Sequence, residues 1–292
     1  MGVSHFAGSP RGTGATRRRP GAQKERELCE RAACSVNELS PLLLRPAWPA
    51  VPGVAAAMSQ RAGGVSTGPW ASLNLGLAVG DDAAAVAANR QRFTAALAAH
   101  PVWLRQVHGT HVLRLRADTD RTPETPADAA WTTERGVACA VQVADCMPVL
   151  MALRDGRAVA AAHAGWRGLA YGVLEATLHA LCIGTGSTPA DVQVWLGPCI
   201  GPRQFEVGAD VLRAFSADPT ASDAQRFVYR PRPDGAARWL ANLPQLATDR
   251  LRTAGVQDIT RADGCTVEDA SAFFSFRRDG VTGRMAAAVW RH

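Results

Sequence analysis

The chain has 292 residues, of which 47% are hydrophobic and 20% charged, a balance typical of a globular protein with a sizeable buried core. The formal net charge is +6, and residues 1–40 contribute half of it, with seven basic against four acidic side chains. So small an excess argues against a nucleic-acid-binding protein, and no run reaches the ~18 apolar residues of a membrane span. Seven cysteines without C-x-x-C spacing favour reduced thiols in the cytoplasm over a disulfide framework.

The N-terminal segment differs in composition from the rest of the chain. Residues 1–40 are rich in glycine, proline, serine and arginine and show no sustained apolar period. We therefore expect a disordered or mis-started N-terminal extension there. The apolar pattern begins near Leu42, so residues 41–292 are expected to form the folded domain.

Apolar periodicity predicts more strands than helices in this domain. The predicted helices are residues 82–98, 169–181, 208–215 and 243–254. The predicted strands outside the central hairpin are residues 54–58, 102–107, 111–115, 136–143, 192–196, 227–229 and 285–290, with a strand and turn over 273–280. Because many strands are joined as hairpins, the pattern indicates an α+β domain with mixed or antiparallel sheets flanked by helices.

A β-hairpin is predicted between Val141 and Gly168. Two apolar runs flank an Asp-Gly pair at 155–156, which is the signal for a two-residue type I′ turn. That turn would place Pro148 opposite His163, with Cys146 further along the same strand as a diagonal neighbour. Ligands so placed can meet one ion, because Zn–S and Zn–N bonds are about 2.3 and 2.0–2.1 Å long.

Three candidate ligands end apolar runs beside a glycine or another small residue: His108, Cys146 and His163. A set of two histidines and one cysteine suits zinc or copper, and it leaves a fourth tetrahedral position open, as in catalytic zinc sites. Spacing alone does not identify the third ligand. The histidines that compete for this place are His100, His111 and His179.

Long motifs spread over residues 42–292 resemble those of the YfiH family. Proteins of this family were first described as laccase-domain polyphenol oxidases. The matching stretches are R-A-G-G-V-S-T-G-P-W-A-S-L-N-L-G (61–76), Q-V-H-G-T (106–110), V-A-D-C-M-P-V-L (143–150), A-A-H-A-G-W-R-G-L (161–169), W-L-G-P-C-I-G-P-R-Q-F-E-V-G (195–208) and F-F-S-F-R-R-D-G-V-T-G-R-M-A (273–286). One departure is Phe276, where the family usually has tyrosine.

The resemblance implies a single domain of four-layer α/β/β/α type with Zn²⁺ bound by His108, Cys146 and His163. It also implies a purine nucleoside phosphorylase that converts adenosine, inosine, guanosine and S-methyl-5′-thioadenosine to the base and a sugar 1-phosphate. Adenosine deaminase activity accompanies the phosphorolysis in this family. The expected partners are thus purine nucleosides and phosphate, with no nucleic acid or membrane, for a monomer or weak homodimer.

Four further residues each have a functional and a structural interpretation if the chain catalyses phosphorolysis. Arg61 and Arg167 are predicted to bind phosphate, since arginine offers a planar fork for oxyanions; the alternatives are structural salt bridges, for Arg167 with Asp145. Asn74 would contact ribose or base, or else stabilise a turn. Asp145 would orient or deprotonate a water, or else cap the next turn.

Three alternative functions use the same residues. A copper-dependent polyphenol oxidase of the multicopper type would need more histidines than the seven present, although a single copper could oxidise dyes weakly. A zinc amide hydrolase acting on a peptidoglycan precursor would use the same open metal position. A non-enzymatic binding module would instead close the metal with a fourth ligand, with Asp145 as the candidate.

Overall fold

The computed structural model describes residues 1–3, 43–119, 125–220 and 223–292, so most of the predicted N-terminal extension lies outside it. The strands are β1 Leu43–Leu44, β2 Val54–Ser59, β3 His100–Val102, β4 Leu104–Arg105, β5 Val112–Leu115, β6 Thr125–Pro126, β7 Ala129–Thr132, β8 Val137–Val143, β9 Met147–Leu153, β10 Val159–Ala164, β11 Val192–Leu196, β12 Glu206–Val207, β13 Phe227–Tyr229, β14 Trp239–Ala241, β15 Asp258–Arg261 and β16 Met285–Arg291. The helices are α1 Ala83–Leu97, α2 Trp166–Tyr171, α3 Val173–Thr185, α4 Ala209–Ala214, α5 Leu243–Thr253 and α6 Phe276–Asp279. None of these helices is long and apolar enough to cross a membrane.

Two large sheets pack face to face at the centre of the domain. One has the strand order β1-β2-β16-β8-β3 and the other β15-β11-β9-β10-β7-β5. Both are mixed, because β3 runs parallel to β8, β15 to β11 and β5 to β7, while the other neighbours are antiparallel. Buried side chains from both sheets, such as Val141, Leu150 and Trp195, form the apolar layer between them.

Helices cover the outer face of each sheet. Strand β8 alternates, so that Ala138 and Ala140 face α1, while Cys139 and Val141 face the other sheet. Helices α3 and α5 cover the outer face of the six-stranded sheet, where Leu178 and other apolar residues are buried. The layers are therefore α/β/β/α, and the predicted fold class is confirmed.

The predicted register of the central hairpin is confirmed, but the predicted turn is wrong. Pro148 pairs with His163, as the sequence indicated. A type I′ turn requires positive φ at both central residues, yet only Gly156 has it (φ 74°) and Asp155 does not. The Asp155 carboxylate accepts the backbone N–H of Arg157 at 3.0 Å, which stabilises a longer loop with ordinary φ angles at most positions.

Three other elements differ from their predictions. The predicted helix over 169–181 is two helices, because Gly172 adopts φ 97° between α2 and α3. The predicted strand over 102–107 is two short strands, since the chain leaves β8 at β3 and pairs with β6 at β4. Residues 273–280 contain α6, and the Ser275 side chain caps it by accepting the Arg278 N–H.

The cluster between α1 and the five-stranded sheet offers a test of the outer layers. Phe93 is fully buried there, so we expect Phe93→Ala to lower the free energy of unfolding by about 3–5 kcal/mol. Gln91 is exposed on the same helix, so Gln91→Ala should change it by no more than about 0.5 kcal/mol. Urea denaturation measures both, and equal values for the two variants would contradict this packing.

Candidate metal centre

A pocket of about 640 Å³ lies where the ends of both large sheets meet. The end of β8, the start of β9 and the end of β10 contribute to its wall. Its lining includes His108, Cys146 and His163, which form the one group of at least three potential metal ligands among the described residues.

The three ligand atoms lie within 4.8 Å of one another. The distance from Cys146 Sγ to His108 Nε2 is 3.7 Å, and the two imidazole rings meet nearly edge to face with centroids 4.8 Å apart. With tetrahedral angles and Zn–S and Zn–N bonds of about 2.3 and 2.1 Å, the sulfur and nitrogen would be about 3.6 Å apart. The donor set and its spacing therefore fit a divalent ion of zinc type.

Cys146 lies just before β9 rather than on it, which corrects the predicted diagonal geometry. Asp145 has φ 87°, a left-handed conformation that turns the chain at this point. The turn brings the thiol close to Gly165, where a Cβ atom would lie 2.9 Å from Sγ and 2.9 Å from His108 Cδ2. Glycine at 165 is thus required for the thiol and the imidazole to approach each other.

Asp128 is the functional residue that sequence reasoning missed. Its side chain is fully buried, and Oδ1 accepts the His108 N–H at 2.9 Å and the His163 Nδ1–H at 2.9 Å. Oδ2 accepts the N–H groups of Val107 at 3.1 Å and Gly109 at 2.7 Å. The bond to Nδ1 leaves His163 Nε2 as the ligand nitrogen, a common arrangement in metal sites.

The hydrogen bonds from the backbone of residues 107–109 to the Asp128 carboxylate explain how His108 is held. His108 has φ 59°, an uncommon conformation that three consecutive N–H groups on one carboxylate help to stabilise. Gln106 fixes the other side of the loop, since its amide donates to and accepts from the backbone of Gln142 on β8. The sequence signal available was a single acid, Asp128, directly before an apolar strand.

The charges of the group favour a thiolate beside an imidazolium. Burial opposes ionisation of Cys146, but the positive charge of His163 and hydrogen bonds from both histidines outweigh it and lower the pKa of the thiol. Burial also opposes protonation of His163, yet the Cys146 charge and the Asp128 bond raise its pKa. Burial raises the pKa of Asp128 as well, and the bonds from His163 and the backbone more than offset this, so its pKa is lowered.

Asp145 and Arg167 line the pocket without pairing. The Asp145 carboxylate accepts Thr266 Oγ1–H at 2.5 Å and the Arg277 backbone N–H at 2.6 Å, in the first turn of α6. The guanidinium of Arg167 lies over the Trp166 ring at 4.3 Å and forms no salt bridge among the described residues. The alternative of an Arg167–Asp145 salt bridge is therefore wrong, and the Asp145 carboxylate bonds to residues distant in sequence rather than capping the turn that follows it.

Arg61 and Asn74 are not among the residues that line the pocket. Arg61 donates to the carbonyls of Ala71 and Ala270, at 2.8–3.1 Å. Asn74 is fully buried, donates to Asp81 Oδ2 at 2.8 Å and to the Gly76 carbonyl at 3.1 Å, and accepts two backbone N–H groups. These bonds account for both side chains, and their predicted substrate contacts stay predictions.

The competing histidines lie outside the group. His111 is exposed, and its Nδ1 lies 2.8 Å from the Pro126 carbonyl. His100 begins β3 and His179 lies within α3. Neither belongs to the described group of potential metal ligands.

The rest of the pocket wall combines cationic and apolar side chains. Four arginines line it: Arg105, Arg167, Arg277 and Arg284. Asp145 is the one carboxylate residue in the lining. Leu77 and Phe276, which also line the pocket, are apolar side chains with exposed fractions of 49% and 58%. The pocket can therefore accept an anion together with a flat apolar group.

The fold and the site define a single-domain α/β/β/α protein with a His-Cys-His group open to a cationic pocket. A family model described as "Multi-copper polyphenol oxidoreductase laccase" matches residues 55–292. The chain belongs to this laccase-domain family, which includes the YfiH proteins.

The match to each of two curated relatives covers nearly the whole length of that relative. "Purine nucleoside phosphorylase YfiH" of Escherichia coli (strain K12) is 47% identical over 251 residues, which are 85% of this chain and 98% of the relative. "Purine nucleoside phosphorylase PA4543" of Pseudomonas aeruginosa is 47% identical over 247 residues, or 85% and 97%. The chain is thus similar to enzymes over its whole folded domain.

Solved structures share the fold. The protein NMB0706 of Neisseria meningitidis superposes with a TM-score of 0.77 at 42% identity, covering 86% of this chain and 99% of that one. YlmD from Geobacillus stearothermophilus superposes with a TM-score of 0.77 at 34% identity, covering 86% and 96%.

The role of Asp128 can be tested by removing one acceptor oxygen. Asp128 uses both oxygens as acceptors, and Asn would turn an NH₂ group toward donors, so we expect Asp128→Asn to weaken Zn²⁺ binding about 10- to 100-fold. Competition with a chromophoric chelator measures the affinity, and circular dichroism monitors the fold. The matched control is Asp263→Asn at an exposed position. Wild-type affinity in Asp128→Asn would contradict the proposed positioning.

Proposed function

We propose that the chain is a zinc-dependent purine nucleoside phosphorylase that also deaminates adenosine. The observation that carries this proposal is the group of His108, Cys146 and His163, whose atoms lie within 4.8 Å of one another in a cationic pocket. The names of the curated relatives support the same activity class. We place the reaction in the cytoplasm, in keeping with the five free cysteines among the described residues.

The three ligands suit Zn²⁺ because they combine two imidazoles with a thiol whose pKa is lowered by His163 against the effect of burial. When bound, such an ion would act as a Lewis acid toward an oxygen of a reactant. Asp128 would help to fix the position of the ion, because it holds His163 through Nδ1 and the His108 loop through backbone N–H groups. Both oxygens of Asp145 are bonded, to Thr266 and to the backbone of α6, so Asp145 would not be a fourth ligand and a reactant could approach the ion.

Phosphorolysis requires the pocket to hold two reactants in line. An oxygen of dihydrogen phosphate attacks C1′ of the ribose, and the bond from C1′ to N9 breaks with its electron pair moving to the base. A proton from the phosphate ends on the base, which leaves as the free purine. The arginines of the pocket lining suit the phosphate, while Leu77 and Phe276 supply apolar surface for the purine ring.

Deamination would use water in place of phosphate at a different atom of the same substrate. Water adds to C6 of adenosine, and ammonia leaves, which gives inosine. The substrate range that we propose includes adenosine, inosine, guanosine and S-methyl-5′-thioadenosine, since all share the purine ring and the C1′–N9 bond.

Copper-dependent phenol oxidation is the competing activity that the family description suggests. A multicopper oxidase needs histidines for a mononuclear and a trinuclear centre, and the chain has seven histidines in total. Within the described ranges, a single group of at least three potential metal ligands occurs, and it contains two histidines. The phosphorylase is therefore the better fit to the residues present.

Product analysis tests the proposal directly. Zinc-loaded protein with adenosine and phosphate should give adenine and ribose 1-phosphate, and without phosphate it should give inosine and ammonia. Cys146→Ala should abolish both activities, because it removes the sulfur ligand, while Cys182→Ala, a buried cysteine outside the pocket, should retain them. Chromatography of the products is the measurement.

Two results would contradict the proposal. One is full turnover by Cys146→Ala at wild-type metal content. The other is unchanged adenosine with wild-type protein that instead oxidises a phenolic dye with copper, or releases an amide fragment from a peptidoglycan precursor.

A further inference from the structure

We propose that Arg284 is the residue that binds the phosphate co-substrate, and that the segment from Asn74 to Gly76 positions it. The inference rests on the proposed phosphorolysis and assigns its anion subsite. It replaces Arg61 and Arg167, the two arginines that the sequence favoured for phosphate, with Arg284.

Burial distinguishes Arg284 from the other arginines of the pocket. The side chains of Arg105, Arg167 and Arg277 are exposed, whereas Arg284 is half-buried. A guanidinium that is partly withdrawn from solvent is screened less by water and salt, so it attracts an anion more strongly. The other three arginines are better suited to steering an anion toward the pocket than to fixing it.

The guanidinium of Arg284 has donors to spare. Nη1 donates to the carbonyls of Thr282 at 3.1 Å and Gly283 at 3.0 Å, while Nε and Nη2 make no hydrogen bond to any described residue. No described carboxylate lies within 4.0 Å of it. Its Cζ atom lies 5.9 Å from the centre of the ring of Phe276, a residue proposed to contact the purine. A charged fork of this kind can bind two oxygens of one phosphate.

Arg284 lines the same pocket as the three candidate metal ligands. Burial lowers the pKa of its guanidinium, and the negative charges of Cys146 and Asp145 offset this only in part. One oxygen of Asp145 accepts the hydroxyl hydrogen of Thr266, and the other accepts the backbone N–H of Arg277. An ion held by the ligand group would neutralise the thiolate, so the charge of Arg284 would remain available to an anion beside that group.

The segment from Asn74 to Gly76 fixes where this charge lies. Asn74 Oδ1 accepts the backbone N–H of Arg284 at 2.8 Å, and the Leu75 N–H donates to the Arg284 carbonyl at 3.0 Å. A Cβ atom at Gly76 would come within 2.7 Å of Arg284 Cγ. Asn74 and Gly76 are therefore positioning residues, and the buried amide of Asn74 acts on the reaction through Arg284.

Arg61 offers no comparable group to an anion. Its Nε, Nη1 and Nη2 atoms all donate to the carbonyls of Ala71 and Ala270, and its Cζ lies 4.8 Å from the centre of the Phe274 ring. These contacts fix the loop over residues 61–76 to the segment around residue 270. Arg61 thus supports the loop that positions Arg284.

The test measures binding of inorganic phosphate and its KM in phosphorolysis. Arg284→Gln removes the charge and is expected to weaken phosphate binding in isothermal titration, and to raise the phosphate KM, by about 10- to 100-fold. Arg284→Lys keeps the charge without the fork and should recover part of this loss. The nucleoside KM should change less than the phosphate KM in both variants.

Two further variants separate positioning from general damage. Gly76→Ala keeps the guanidinium group but crowds Arg284 Cγ and so displaces the side chain. It should therefore raise the phosphate KM more than the nucleoside KM. Arg213→Gln alters an exposed arginine outside the pocket and should leave both values unchanged. Circular dichroism and thermal unfolding confirm that each variant is folded.

The outcomes distinguish this inference from the proposed activity. Loss of phosphate binding in folded Arg284→Gln supports the inference, and because titration requires no turnover, it does so even if no nucleoside reacts. Wild-type phosphate binding in Arg284→Gln would overturn it while phosphorolysis stands. An equal or larger phosphate defect in Arg61→Gln would also overturn it, in favour of Arg61.

Discussion

The carboxylate of Asp128 is the interaction on which the candidate centre depends. A fully buried carboxylate costs several kcal/mol unless it is hydrogen-bonded, and Asp128 offsets this by accepting bonds from three consecutive backbone N–H groups and from His163. One side chain thus fixes both the loop that carries His108 and the imidazole on β10. Two ligands from distant parts of the sequence become neighbours of Cys146 as a result.

The sandwich of two sheets supplies the remainder of the site. Apolar packing between the sheets holds β8 and β10 in fixed positions, and the pocket opens where their ends meet. The chain then departs from regular geometry at the pocket, with positive φ at His108 and Asp145. Such conformations persist because the surrounding hydrogen bonds hold them, which is typical of binding and catalytic sites.

Local patterns predicted the parts of this structure that depend on local chemistry. The helices over 82–98 and 243–254, the strands over 136–143 and 285–290, and the pairing of Pro148 with His163 were all predicted from apolar periodicity and the Asp-Gly signal. Long-range contacts were not predictable in this way. Nothing near Asp128 indicated that its carboxylate would meet a loop twenty residues earlier, nor did the sequence distinguish Arg61, bonded to carbonyls, from Arg284, directed into the pocket.

X-ray absorption at the zinc edge, on protein purified without added metal, tests the central claim most directly. The account predicts one bound zinc per chain with one sulfur at about 2.3 Å, two imidazole nitrogens at about 2.0–2.1 Å and one further light atom from solvent or ligand. A spectrum without a sulfur neighbour, or one with a second sulfur in place of the light atom, would contradict it. Either result would mean that His108, Cys146 and His163 do not form an open centre.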